Sequence, residues 1–160
     1  MFELGVKYEK GSKGLQQNYK KAIKLLLQAG SLGHAASHCN IAFHYYIGQG
    51  VEKDEKKAKY YYELAAMHGD SSHARHNLGA MEVKAGNMNR AVKHWMISAA
   101  AGHDNALKPI RDCFLRGHAT KDDFEKALRA HKEAKDEMKS DRRDAAAAAV
   151  QEGRPTQYNR

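Results

Sequence analysis

Apolar and small residues recur at helical spacing along the chain, and segments containing glycine separate them. In the second quarter of the chain, Ser37, Ile41 and Tyr45 are four residues apart, so they fall on one face of a predicted helix. Gly48 and Gly50 follow, and glycine allows the left-handed backbone that ends a helix. This pattern predicts a helix over 35–47, a sharp loop and then a second helix.

The same unit recurs along the chain. Alanines 22, 58 and 91 each follow Lys or Arg and precede a glycine by eleven residues, and with Ala127 they are spaced by 36, 33 and 36 residues. Periods of this size with two helices in each unit are typical of solenoids. We therefore expect an all-α chain that forms an α/α superhelical solenoid of three to four helix-turn-helix repeats. The expected units are about 1–33, 34–69, 70–102 and 103–143.

Polar residues stand where the second helix of each unit is expected to begin. Asn18, Asp54 and Asn87 are predicted N-caps, whose side chains accept hydrogen bonds from the free amides of the first turn. Thr120 and Asp123 have the spacing of a capping box in the fourth unit. We expect these residues to fix the starts of the four second helices.

The last helix is predicted to run from near Thr120 past Ser140 and through alanines 145–149. Charged residues fill its later turns, which suits a solvated helix that caps the array. Gly153, Arg154 and Pro155 are predicted to end it. Residues 144–160 are therefore assigned to the end of this helix and a flexible tail.

The residues most specific to the second unit and the entry to the third are Gly48-Gln49-Gly50-Val51-Glu52-Lys53-Asp54, Lys57-Ala58, Tyr61, Ala65-Ala66, Gly69, Ala74 and Asn77-Leu78-Gly79. In this run the chain resembles the Sel-one-like repeat, a relative of the tetratricopeptide repeat, and the resemblance covers about residues 2–135. It implies an α/α superhelix that serves as a scaffold or adaptor for protein complexes, generally without catalysis. The third unit departs from the pattern with a shortened loop, and the fourth has Arg111 where Gly5 and Gly79 stand.

Length and charge narrow the picture further. The 160 residues fit one compact domain or a short repeat array, and the formal net charge is +8. Residues 1–117 carry 17 Lys and Arg against 10 Asp and Glu, so the charge lies mainly in the repeats. We expect other proteins as partners, with acidic or extended segments, rather than nucleic acid.

No apolar stretch approaches the ~20 residues that a membrane span needs, and the first residues do not resemble a signal peptide. Cys39 and Cys113 fall on different predicted helices two repeats apart, too far for a disulfide. The expected compartment is therefore the cytoplasm or the nucleus.

Ten histidines raise the question of a metal site. His34 and His38 are four residues apart and His73 and His76 three apart, but a zinc site needs four ligands and no Cys-x-x-Cys or His-Glu-x-x-His occurs. Cys39 adjoins His38, yet neighbouring residues on a helix point about 100° apart. We therefore expect no metal, no cofactor and no catalytic residues.

The aromatic residues have two interpretations. Tyr60, Tyr61 and Tyr62 lie among Lys56, Lys57 and Lys59, a mixture that could stack on single-stranded bases. The resemblance places Tyr61 in the core and leaves Tyr60 or Tyr62 exposed. Trp95 is expected in the core.

Alignment of the first helices identifies candidate partner-binding residues. In tetratricopeptide relatives these helices line the groove, and Asn, Lys and Arg there hold a peptide's backbone or carboxylates. By this resemblance the candidates are Asn40, His44, Arg75, His76, Asn77 and Lys108. The alternative for both asparagines is a hydrogen bond between neighbouring helices.

The leading hypothesis is a noncatalytic α-solenoid that binds an extended segment or helix of another protein along its groove. One alternative is the partner-recognition region of a larger protein similar to a ubiquitin ligase. Another is a basic adaptor for nucleic acid, whose affinity would fall steeply with salt.

Overall fold

The structure, a computed structural model, describes residues 1–69 and 71–152. This part of the chain is helical and contains no strand, which confirms the all-α prediction. The helices are α1 (Phe2–Lys10), α2 (Tyr19–Ser31), α3 (Ala35–Ile47), α4 (Glu55–Met67), α5 (Ser71–Lys84), α6 (Met88–Ala100), α7 (Leu107–Leu115) and α8 (Lys121–Glu152). A single 3₁₀ turn, Asp104–Ala106, precedes α7.

The helices pair in chain order as α1 with α2, α3 with α4, α5 with α6 and α7 with α8. Each pair also packs on the next one, and α8 reaches back to α6. The result is the predicted α/α solenoid. Helix α3 has the bounds that the sequence predicts.

Small residues hold each second helix against its neighbours. Ala22, Ala58 and Ala91 have no exposed surface, and Ala127 is nearly as buried. Because alanine has no side chain beyond Cβ, the adjacent helix approaches closely at these points. Every second helix therefore turns the side that carries this alanine towards the core.

Two of the predicted N-caps are confirmed in the first two units. Asn18 Oδ1 accepts the backbone N–H of Lys21 at 3.0 Å, and Asp54 Oδ1 accepts that of Lys57 at 2.9 Å. Each bond satisfies an amide that has no partner within the helix. This hydrogen bond lowers the pKa of Asp54.

The capping box of the fourth unit is also confirmed. Thr120 Oγ1 accepts the backbone N–H of Asp123 at 3.1 Å, and Asp123 Oδ2 accepts that of Thr120 at 3.0 Å. Helix α8 therefore begins where the sequence predicts and continues to Glu152. The predicted helix end at 153–155 and the tail to residue 160 lie outside the described residues.

Asn87 occupies the predicted N-cap position of α6, but its side chain does not cap the helix. Its side-chain amide donates to Glu82 Oε2 at 2.8 Å and makes no capping hydrogen bond. Glu82 is almost fully buried, and Lys59 Nζ donates to its Oε1 at 2.7 Å. The bond from Lys59, followed by that from Asn87, outweighs burial and lowers the pKa of Glu82. A buried carboxylate needs such partners, so Asn87 serves it instead of the helix.

A cation in the first turn of each of α2, α4 and α6 faces the first helix of its own unit. The pairs are Lys21 Nζ 4.3 Å from the centre of the Tyr8 ring, Lys57 Nζ 5.3 Å from that of the Tyr45 ring, and Arg90 Nη2 3.8 Å from Glu82 Oε1. The first two contacts are cation–π interactions and the third is an ion pair. The third unit thus keeps the position of the cation but changes its partner.

The two cysteines are buried in separate core clusters and form no disulfide with each other. Cys39 packs with Tyr62 and Leu78 around α4 and α5, and Cys113 packs with Trp95 around α6 and α7. Burial raises the pKa of the Cys113 thiol. No helix in the described ranges is long and apolar enough to cross a membrane.

Trp95 fixes the distance between α5 and α6. Its indole N–H donates to the carbonyl oxygen of His76 at 3.1 Å, and its ring lies against the helical Gly79. A Cβ on Gly79 would lie 2.4 Å from Trp95 Nε1, a distance that neighbouring atoms do not tolerate. Glycine is therefore needed here for space.

We expect Gly79→Ala to lower the free energy of unfolding by about 1–2 kcal/mol, because overpacking outweighs the ~1 kcal/mol by which alanine improves a helix. Denaturant unfolding followed by fluorescence of Trp95, the only tryptophan, measures the change. In a Trp95→Phe background, where circular dichroism replaces the lost tryptophan signal, the smaller ring should make the same glycine substitution less harmful. Unchanged or higher stability of Gly79→Ala would contradict the packing argument.

Candidate functional site

The first helices α3 and α5 each carry one line of exposed or half-buried residues. At 100° per residue, positions i, i+4, i+7 and i+11 lie along one side of a helix. We call this surface the first-helix face, and it consists of Ala36, Asn40, Phe43 and Ile47 on α3 and His73, Asn77, Ala80 and Lys84 on α5.

Asn40 and Asn77 occupy equivalent positions on the first-helix face. Both are half-buried, and neither side chain forms a hydrogen bond within residues 1–69 and 71–152. The alternative in which these amides join neighbouring helices therefore finds no support in this part of the chain. A carboxamide offers both a donor and an acceptor, which matches the backbone of a bound peptide.

Two exposed apolar residues stand beside Asn40 on the same line. Phe43 is 46% exposed and Ile47 is 44% exposed. The groove prediction did not include them because it considered only polar side chains. Their spacing of three and seven residues from Asn40 was a signal in the sequence that identifies them.

Arg75 lies on the opposite side of α5. It precedes Asn77 by two residues, a rotation of about 200°, and its Nη1 is 3.3 Å from Nδ1 of His94 on α6. Its Nε is buried without a hydrogen-bond partner in the described structure. Burial, followed by the charge of Arg75, lowers the pKa of His94. The structure therefore places Arg75 in the contact between helices and not on the first-helix face.

His44 is also inside the molecule, with no exposed surface. Its Nδ1–H donates to the carbonyl oxygen of Gln49 at 3.1 Å, and its Nε2 lies 3.8 Å from Glu9 Oε2. The ring thus supports the loop after α3 and the contact with α1. A partner on the surface does not reach it.

His76 is half-buried at the junction of α5 with the loop after α6. Its ring centre lies 4.9 Å from that of His103, which is 4.7 Å from that of His73. Burial, followed by the charge of His73, lowers the pKa of His76. In the described ranges, no group of three or more His, Cys, Asp or Glu side chains is arranged to hold a metal ion. Lys108, the remaining candidate, is exposed on α7.

The three tyrosines of α4 match the expectation in part. Tyr62 is the core residue, at 2% exposure, because it follows the buried Ala58 by four positions. Burial strongly raises its pKa. Tyr61 is half-buried and stacks on Tyr45 with ring centres 5.8 Å apart, whereas Tyr60 is exposed. Tyr61 thus packs at the edge of the core rather than within it, while the exposure of Tyr60 and the burial of Trp95 agree with the expectations.

A cavity of about 180 Å³ opens between α5, α6 and α7. Val83, Trp95 and Cys113 contribute to its apolar lining, while Asp112, Arg116 and His118 carry polar groups into it. A cavity of about 150 Å³ can hold a benzene ring, so this one has room for a single bulky apolar side chain.

Helix pairs stacked in this way define an α/α solenoid, whose repeats present side chains on a continuous surface. Three consecutive segments, residues 1–34, 35–70 and 73–103, match the Sel1 repeat. The chain therefore belongs to the Sel1 repeat family.

Solved structures of similar fold come from two bacteria. A Sel1 repeat protein from Oxalobacter formigenes is 29% identical with a TM-score of 0.70, and the match covers 84% of this chain and 56% of that one. A protective antigen of uropathogenic Escherichia coli strains displays an SLR fold at 24% identity and a TM-score of 0.71, with 85% of this chain and 30% of that one covered. The chain thus spans about half and about a third of their lengths. No curated protein sequence matches the chain.

Three half-buried histidines predict a pH dependence of stability. Burial lowers the pKa values of His38, His76 and His94, so the folded chain resists protons that the unfolded chain accepts below about pH 6.5. Stability is thus greatest above that pH and is lost as the pH falls towards the folded-state pKa values. We expect the denaturant concentration at the unfolding midpoint to decrease as the pH is lowered from about 7.5 to about 5.5.

The contribution of one histidine is measured with a matched pair of variants. His76→Gln should flatten this pH dependence, whereas His118→Gln, at an exposed position, should leave it unchanged. If stability changes with pH to the same extent in His76→Gln and in the unmodified chain, the burial of His76 does not couple its protonation to folding.

Proposed function

We propose that the chain is a noncatalytic scaffold that binds an extended or helical segment of another protein along the first-helix face. Sel1 repeat proteins generally mediate protein–protein interaction. The observation that carries the proposal is the combination of the Asn40 and Asn77 amides with the exposed Phe43 and Ile47 on one surface.

Each kind of residue on this face has a role in binding. The amides of Asn40 and Asn77 hydrogen-bond to the main chain of the segment, so that its polar groups are not buried without partners. Phe43 and Ile47 cover apolar side chains of the segment. Contacts of this kind, an apolar centre with polar groups around it, dominate the energy of protein interfaces.

The cavity between α5, α6 and α7 extends this mode of binding. Pro109 and Arg116 line it from α7 and the turn that follows, and Pro109 is the fourth-unit equivalent of Asn77. A bulky apolar residue of the segment enters the cavity, and an acidic neighbour pairs with Arg116. The helices are ordered before binding, so the partner bears most of the ordering cost.

Site-specific photocrosslinking tests the location of the interface. A photoreactive phenylalanine analogue at position 43 should crosslink a discrete protein from nuclease-treated extract of the source cell. The same analogue at Ala100, an exposed position on α6, is the matched control and should give no crosslink to that protein. Crosslinks from Ala100 alone would place the interface elsewhere.

Affinity measurements on the captured protein test the amides. Asn40→Ala combined with Asn77→Ala removes two hydrogen bonds, so we expect the affinity to fall by roughly tenfold. Isothermal titration with the purified partner measures this change. Unaltered affinity in the double variant, with an unchanged circular dichroism spectrum, would contradict the proposed role of the asparagines.

A further inference from the structure

The positive charge of the chain is concentrated on the second helices of the first three units. Helix α2 carries three lysines and no acid, α4 three lysines and two glutamates, and α6 one arginine and one lysine with no acid. These helices therefore hold a net charge of +6 out of the +8 of the chain. The first helices α1, α3, α5 and α7 together hold +2.

The buried alanines determine which of these residues face outwards together. Ala22, Ala58 and Ala91 are all fully buried, so α2, α4 and α6 have the same rotation relative to the core. Residues two before and two after each alanine then point in the same outward direction. They are Lys20 and Lys24, Lys56 and Tyr60, and Asn89 and Lys93, all of them exposed.

We call Lys20, Lys24, Lys56, Tyr60 and Lys93 the outer basic face. Its four lysines form no ion pair within the described ranges. Other cations of the same helices are engaged, because Lys57 pairs with Asp54 and both Lys59 and Arg90 pair with Glu82. Lys21 lies over the neutral Tyr8 ring, so most, but not all, of the cations without an ion pair on these helices belong to the outer basic face.

Tyr60 stands in the central position of this array. Its ring is 56% exposed and meets Tyr61 in an edge contact, with ring centres 5.3 Å apart and planes at 71°. By repeat equivalence, Lys24 and Lys93 flank it on the neighbouring second helices. On α4 itself, the exposed Lys56 lies one turn before Tyr60 and the exposed Glu63 lies three residues after it, so the ring has one cation and one acid beside it.

We propose that the outer basic face binds single-stranded nucleic acid. A base stacks on the Tyr60 ring while the four lysines contact phosphates of the same strand. Exposed aromatic rings among cations bind single strands in this manner with little dependence on sequence. This surface is formed by second helices, and it borders the first-helix face where Lys56 and Lys84 line one pocket.

The chemistry of the face favours a single strand over other anions. An acidic protein segment pairs with the lysines but has no planar group that requires an exposed tyrosine. In a duplex the bases are stacked and paired, so their faces are not available to Tyr60. Only an unpaired strand uses both the ring and the charges.

Fluorescence anisotropy with a labelled oligouridylate of about 12 nucleotides tests the proposal on the full chain. The logarithm of the association constant should fall with the logarithm of salt concentration with a slope of about −3, because four phosphate contacts contribute about −0.7 each. Lys24→Gln with Lys93→Gln should reduce the slope to about half. Arg129→Gln with Lys132→Gln, which removes the same charge from exposed positions on α8, is the matched control and should leave it unchanged.

Stacking has its own pair of variants. Tyr60→Ala should weaken binding by roughly 5- to 150-fold, the range for loss of one stacked base, whereas Tyr60→Phe keeps the ring and should bind as the unmodified chain does. Circular dichroism shows whether each variant remains folded. An equal loss in both Tyr60 variants would overturn the stacking role.

Two further outcomes would overturn the proposal. No binding of the oligouridylate at about 50 mM salt is one of them. The other is binding of an oligoglutamate of equal charge with the same affinity and the same insensitivity to Tyr60→Ala, which would identify an acidic protein as the ligand. The crosslink from position 43 should persist in the presence of oligouridylate. This result distinguishes failure of the nucleic-acid proposal from failure of the proposed protein binding at the first-helix face.

Discussion

The close contact that a buried alanine allows is the constraint on which the array depends. Ala22, Ala58 and Ala91 are fully buried on the core side of the second helices. Their repetition gives every second helix one rotation, and that rotation determines which residues turn outwards. A helix that buries one side exposes the opposite side to solvent. The position of the buried alanine in the repeat therefore determines both the residues that pack in the core and those that lie on the surface.

Much of the fold could be predicted because local signals were sufficient for it. The glycines, the alanine spacing and the caps at Asn18 and Asp54 act within one or two turns, and the structure has each of them as expected. Asn87 has the same local pattern but is drawn to Glu82. The partners of that carboxylate come from α4 and α6, so only the assembled helices show why the cap is absent.

The candidate site was predicted less well, since alignment gives the position of a residue in the repeat but not its direction. Asn40 and Asn77 lie on the first-helix face, whereas Arg75 and His44 point into contacts between helices. Among the tyrosines of α4, a rotation of one residue decides which is core and which is surface. The division of the surface into a nearly neutral face and a basic face is likewise a property of the stacked array, since it combines residues from three units.

The contacts between helices have one further consequence. The substantial ones join helices that are adjacent or next but one along the chain. No unit therefore needs a distant part of the sequence in order to form, and cooperativity passes from neighbour to neighbour. Such an architecture can lengthen by duplication of a unit without redesign of the rest. The cation in the first turn of the second helix contacts a tyrosine in the first two units and Glu82 in the third. Individual units can therefore diverge while the array is kept.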